Sequence, residues 1–108
     1  MARDVRNKQI NTVQEACAAY LRAVADVPWI TEIVLDSESR KDPTIWTVIS
    51  APPFEKDYRT PVYQGMGEVE LSLAAPLVRF EMVNLRELPN GVKPEHLLPV
   101  KAKVLRKG

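Results

Sequence analysis

Between Thr12 and Asp26 the apolar residues Val13, Ala16, Cys17, Tyr20, Leu21 and Val24 recur at spacings of three and four, which draws a single stripe along an α-helix. Thr12-Val13-Gln14-Glu15 reads as a capping box: the threonine hydroxyl accepts an orphan amide and the glutamate reaches back. Pro28 closes the helix, because the residue before a proline is driven out of the helical region. The spacing predicts a helix over 12–26. The period then falls to two. In 30–38, Ile33 and Leu35 alternate with Glu32, Val34 and Asp36. In 44–51, Ile45, Trp46, Thr47, Val48 and Ile49 form a β-branched and aromatic run. The polar stretch Glu38-Ser39-Arg40-Lys41-Asp42-Pro43 between them predicts an antiparallel hairpin. The second strand is apolar on both faces, as expected of a central strand or of a sheet whose second face is also covered.

Pro52-Pro53 ends that strand, since neither can donate to a ladder, and 54–59 read as an exposed loop. Thr60-Pro61 reads as an N-cap followed by proline at the first helical position, and Val62, Met66, Val69 and Leu73 extend a second helix toward Pro76. Gly65 and Gly67 each weaken it by about 1 kcal/mol relative to alanine. A third strand is expected near 77–84, with Val78, Phe80 and Met82 on one face and Leu77, Arg79, Glu81 and Val83 on the other. Pro89-Asn90-Gly91 is a turn, and 94–98 has the makings of one helical turn. The tail 100–106 sets Val100, Ala102 and Val104 against Lys101, Lys103 and Leu105, a lysine-guarded edge strand. The predicted order is α-β-β-α-β-(short helix)-β. This is a single α+β domain with a small mixed or antiparallel sheet, both helices on one face, and 1–9 as a frayed leader.

Two helices cover one face of such a sheet. Val34, Trp46, Val48 and Val83 are expected on the other, and an uncovered apolar face marks a contact surface. The expectation is a homodimer, or a complex with another protein, through this face or the 100–106 edge. A second candidate surface is the loop carrying Phe54, Glu55, Asp57, Tyr58 and Arg59. It is aromatic-flanked, alternates in charge and is held off the sheet by two prolines.

With 108 residues, 45% of them apolar and 27% charged, the chain has the makings of one ordinary globular domain with little surplus for a large enzyme pocket. The formal charge of +1 conceals an uneven spread: net +2 over residues 1–8, +4 over 93–108 and −5 over 9–92. An acidic body with basic ends argues against a nucleic-acid platform. Cys17 is the sole cysteine, so no internal disulfide and no cysteine-based zinc cluster can form. No apolar run approaches the ~18 residues of a membrane span, and no secretory h-region is present, so a cytoplasmic protein is expected. Four glycines, at 65, 67, 91 and 108, assemble no phosphate-cradling motif. His96, the only histidine, has no nucleophile implied beside it and reads as a surface residue, while Cys17 reads as a small hydrophobe on the helix stripe.

The carboxylates supply the one alternative chemistry. Asp36 and Glu38 lie two apart on a strand and so share a face, and Glu81 sits mid-strand where an apolar residue is cheaper to bury. Together they make a candidate oxygen-rich Mg²⁺ site, which is the basis of a second reading as a divalent-metal-dependent enzyme acting on nucleotides.

The element order, with the stretch Phe80-Glu81-Met82-Val83-Asn84-Leu85-Arg86-Glu87-Leu88, resembles the minimal core of the DNA polymerase β-type nucleotidyltransferases. The resemblance covers about residues 10–90 and puts Glu81 at the family's third catalytic acidic residue. Two signatures depart from it. Leu35-Asp36-Ser37 stands where the family carries Gly-Ser, and Thr44-Ile45-Trp46-Thr47-Val48 where it carries Asp-x-Asp. Thr44 and Trp46 cannot ligate Mg²⁺ as carboxylates do. What the resemblance implies is therefore a catalytically dead relative that works by binding, as small regulatory partners in that superfamily do.

Overall fold

In the computed structural model, which describes residues 9–37, 42–93 and 102–107, the capping box forms. The Thr12 hydroxyl accepts from the Glu15 amide at 3.0 Å, and the Glu15 carboxylate accepts from the Asn11 amide at 3.1 Å. Helix α1 (Val13–Ala23) follows, then strands β1 (Ile30–Asp36) and β2 (Thr44–Ile49), helix α2 (Lys56–Ser72), strand β3 (Arg79–Asn84), a 3₁₀ turn (Leu85–Glu87) and strand β4 (Lys103–Lys107). The class is α+β, as the periodicity predicts. Helix α1 stops three residues short of the expected Asp26. The Val24 carbonyl turns to the Val27 amide at 3.1 Å, and the Arg106 guanidinium donates to the carbonyls of Val24 and Val27 at 2.9 and 3.0 Å. A side chain from the far end of the chain thus satisfies the helix C-terminus.

The four strands run in the order β3-β2-β1-β4. Strands β1 and β2 form the expected antiparallel pair, β4 lies antiparallel on the outer side of β1, and β2 and β3 are parallel. A parallel pair needs a crossover, and α2 supplies it. Cross-strand rows Leu35–Ile45–Phe80 and Ile33–Thr47–Met82 face the helices, and the buried cluster gathers Tyr20 and Val24 of α1, Val62, Met66 and Val69 of α2, and Ile33, Ile45 and Ile49 of the sheet. Tyr20 joins the layers: its ring packs on Phe80 at 5.0 Å between centroids, and its hydroxyl shares a 2.5 Å hydrogen bond with that of Thr47. Burial pushes this phenol up to about 12, against the opposing pull of the Thr47 bond.

Three expectations change. Helix α2 starts at Lys56, not after Thr60, so Pro61 is its sixth residue and cannot donate to the Asp57 carbonyl. The extra first turn is held from outside instead. Trp29 Nε1 donates to the Tyr58 carbonyl at 2.7 Å, and the two rings meet edge-on at 5.1 Å. At its other end α2 stops at Ser72, because Ile10 takes over the next backbone groups. The Ile10 amide donates to Ser72 at 2.7 Å and its carbonyl accepts from Ala74 at 2.9 Å, so the chain just before α1 is anchored at a buried residue. Strand β4 takes the predicted edge but with other residues inward. A register shift opposite Ile33 and Val34 lets both Leu105 and Arg106 serve the helix side, and leaves Val104 48% exposed. The helical turn expected at 94–98 and His96 lie outside the described residues, as does the leader up to Lys8.

Gly65 decides how closely α1 and α2 approach. A Cβ built there would stand 2.5 Å from Val24 Cγ1 and 3.5 Å from Ala23 Cβ, whereas one at Gly67 meets nothing within 4 Å. The two glycines of one helix therefore respond to alanine with opposite signs. Gly65→Ala is expected to cost about 1–3 kcal/mol by overpacking, and Gly67→Ala to stabilise by about 0.5–1 kcal/mol through helix propensity. Urea unfolding of the two variants beside the wild type measures both.

Candidate functional site

Strands β2 and β3 run out side by side, and α2 begins above them; loops at the carboxyl ends of parallel strands are where open sheets collect ligands. The ladder between the two strands ends at the pair Ile49–Asn84. Two residues on, Ala51 is buried and its backbone still needs partners, while Pro52 and Pro53 have no amide to give. The side chain of Asn84 meets that need. Its Oδ1 accepts from the Ala51 amide at 3.2 Å and its Nδ2 donates to the Ala51 carbonyl at 3.1 Å, so one carboxamide stands in for a peptide group of the missing strand. The same Oδ1 accepts from the Arg86 amide at 3.2 Å and starts the 3₁₀ turn.

That turn presents Glu87. Its Oε2 accepts from the Phe54 amide at 2.8 Å and from Asn84 Nδ2 at 3.4 Å, and forms an ion pair with Arg59 of α2. The Phe54 amide first, then the Arg59 hydrogen bond, hold the Glu87 carboxyl below the usual carboxylate range. Phe54 itself has φ of +63°, the left-handed region. It follows Pro53 in a turn, where positive φ ordinarily selects glycine. A bulky residue there is strained by about 1–2 kcal/mol, and its ring gains nothing from burial, being 86% exposed.

The structure divides the predicted binding loop into two roles. Phe54, Glu55 and Asp57 are exposed, whereas Tyr58 and Arg59 are braces, one against Trp29 and the other against Glu87. Apart from Phe54 and Glu55, the stretch read as loop is the first turn of α2. Asn84, Glu87 and Trp29 were missed as site residues. The one signal for the first two is their spacing, with Asn84 as a 3₁₀ cap and Glu87 three residues on; nothing local ties them to Phe54.

The four residues expected on the far face of the sheet do share it: Val34 lies across from Trp46, and Val48 pairs with Val83. That face is less open than expected. Val34 and Val48 are only 3% and 2% exposed within the single chain, and Trp46 and Val83 are half-buried. The carboxylates are not brought together. Asp36 on β1 and Glu81 on β3 have β2 between them, about 10 Å of sheet. Glu81 pairs with Arg79 at 3.5 Å, and Glu38 lies outside the described residues. Among the described residues no group of three histidine, cysteine or carboxylate side chains is placed to hold a metal ion. Cys17 is buried as expected, and burial pushes its thiol up, with Lys103 opposing. Among the described residues no helix is long and apolar enough to cross a membrane.

No protein-family model, no curated protein sequence and no solved structure matches this chain.

The carboxamide of Asn84 carries a measurable load. Asn84→Ala leaves the buried Ala51 amide and carbonyl unpaired and is expected to cost at least about 2 kcal/mol. Asn84→Asp, which keeps the acceptor but turns a second carboxylate toward Glu87 and the Ala51 carbonyl, is expected to be no better at neutral pH. Chemical denaturation of both variants decides it; a loss under about 0.5 kcal/mol for Asn84→Ala would show the pairing to be dispensable.

Proposed function

We propose that this chain is a non-catalytic binding module whose contact residue is Phe54, acting on a second copy of itself or on another protein. The observation that carries this reading is the outlay at one residue. An almost fully exposed phenylalanine is kept in a backbone conformation suited to glycine, and a carboxylate that accepts from three donors holds its amide there. Local strain at an exposed aromatic persists where the surroundings over-determine it, and such positions cluster at ligand contacts. Aromatic anchors of this kind also dominate the energetics of protein interfaces. Glu55 and Asp57 flank the anchor with negative charge. Val104 on the edge strand β4 shares the far face of the sheet with the half-buried Trp46 and Val83, a second and separate apolar surface in this reading. A cytoplasmic setting belongs to the same reading, with Cys17 kept as a buried thiol.

A photo-crosslinking phenylalanine analogue at position 54, installed in the full chain in its native cell, tests the proposal. The expected result is a discrete adduct, at twice the chain mass for a homodimer or at another mass for a different protein. The adduct should vanish when the analogue is moved to exposed Glu68. No adduct at position 54, or equal adducts at both positions, would sink it. Phe54→Gly separates contact from structure. Relief of the left-handed strain offsets the entropy of the added glycine, so stability should stay within about 1 kcal/mol of wild type while association is lost. Thermal unfolding and sedimentation equilibrium of the same sample read the two effects.

A further inference from the structure

We infer that Glu87 is an acid-releasable latch on the Phe54 turn, so that the charge state of one carboxylate sets whether this aromatic ring is presented in a fixed or a free orientation. The biological consequence rests on the reading of Phe54 as the contact residue; the latch itself does not. The geometry converges from four pieces of chain on one oxygen. The turn after β2 contributes the Phe54 amide at 2.8 Å, α2 contributes the Arg59 guanidinium, β3 contributes Asn84 Nδ2 at 3.4 Å, and the 3₁₀ turn contributes the carboxylate itself. Arg59 is the charged group facing Glu87 from α2; β3 presents only the neutral amide of Asn84, the Phe54 turn presents a backbone N–H, and on its own turn the neighbouring charge is Arg86.

These partners do not depend equally on the carboxylate. Asn84 keeps both bonds to Ala51 if Glu87 is lost, so the strand ends stay paired. The Phe54 amide is the backbone donor given over to Glu87, and the residue that carries it is the strained one. Weakening this acceptor thus loosens the turn first and leaves the sheet closed. A protonated carboxyl turns one oxygen into a donor and loses the charge that draws Arg59. The sign follows from the direction of the shift. The folded-state carboxyl titrates below its ordinary value, so the latch is fully closed above that ordinary value and opens as pH falls through the folded one.

The test is a pH titration of the isotopically labelled full chain, followed by its amide NMR spectrum from neutral pH to about pH 2. The expected result is that the Phe54 amide proton moves with the same midpoint as the Glu87 carboxyl carbon, below the ordinary glutamate range. The amides of Thr47 and Tyr20 should stay in place. In Glu87→Gln the Phe54 shift should no longer titrate over this range, and its amide should exchange about tenfold or more faster at neutral pH. In Arg59→Gln the Phe54 amide should still follow Glu87, with the midpoint moved up. A Phe54 amide indifferent to pH, a titration that survives in Glu87→Gln, or core amides lost at the same midpoint would each overturn the latch. All of these readings are made without a partner, so a failed crosslink at position 54 and a failed latch are separate results.

Discussion

Pro52 and Pro53 close the parallel pair of β2 and β3 by removing two amides from the ladder, and the end of the sheet is organised around that loss. Ala51 is buried with its backbone groups still to be satisfied, and the carboxamide of Asn84 serves both. Pinning Ala51 fixes where the two prolines point. The stiff prolines in turn fix where Phe54 emerges, and the 3₁₀ turn that Asn84 starts brings Glu87 under the Phe54 amide. A buried peptide group left without a partner costs roughly 1–3 kcal/mol, so this chain of placements has little freedom to relax.

The rest of the fold holds that end in position. The crossover helix α2 must start above the strand ends and lie on α1, and Gly65 permits the close contact with Val24. Tyr20 then links α1 to the central strands through Thr47 and Phe80. Arg106 closes the same end from the opposite edge by capping α1. Trp29, at the start of β1, holds the first turn of α2 that Pro61 would otherwise leave unsupported. Groups from α1, β1, α2, β3 and β4 therefore meet at one end of the sheet, where the exposed phenylalanine stands.

Much of the local structure is written in short-range pattern. The Thr12–Glu15 box and the stripe through Tyr20 and Val24 follow from spacing, and the antiparallel pairing of β1 and β2 from two short apolar runs joined by a polar stretch, because each rests on neighbours close in the chain. The terminal details do not. The start of α2 was misplaced because Thr60-Pro61 is a sound local start signal that distant contacts from Trp29 and Glu87 override. The inward residues of β4 were misplaced because a bulge breaks the alternation on which such a reading depends. Gly65 and Gly67 look alike in sequence, and only the neighbouring helix tells them apart.

The candidate site divides in the same way. Composition and local pattern by themselves determined the α+β class, two helices on one face of the sheet, and a proline-bounded stretch at Phe54 beyond the end of β2. They could not determine that Tyr58 and Arg59 are braces, that Asn84 completes a strand, or that Glu87 holds the Phe54 amide. Those partners are up to 33 residues apart in the chain. Nor could they show that β2 lies between the strands that carry Asp36 and Glu81. Backbone preferences act over a turn or two of chain, and so can be read from neighbours. Hydrogen bonds between side chains and distant backbone exist only after the strands have chosen their order, and that choice belongs to the tertiary structure.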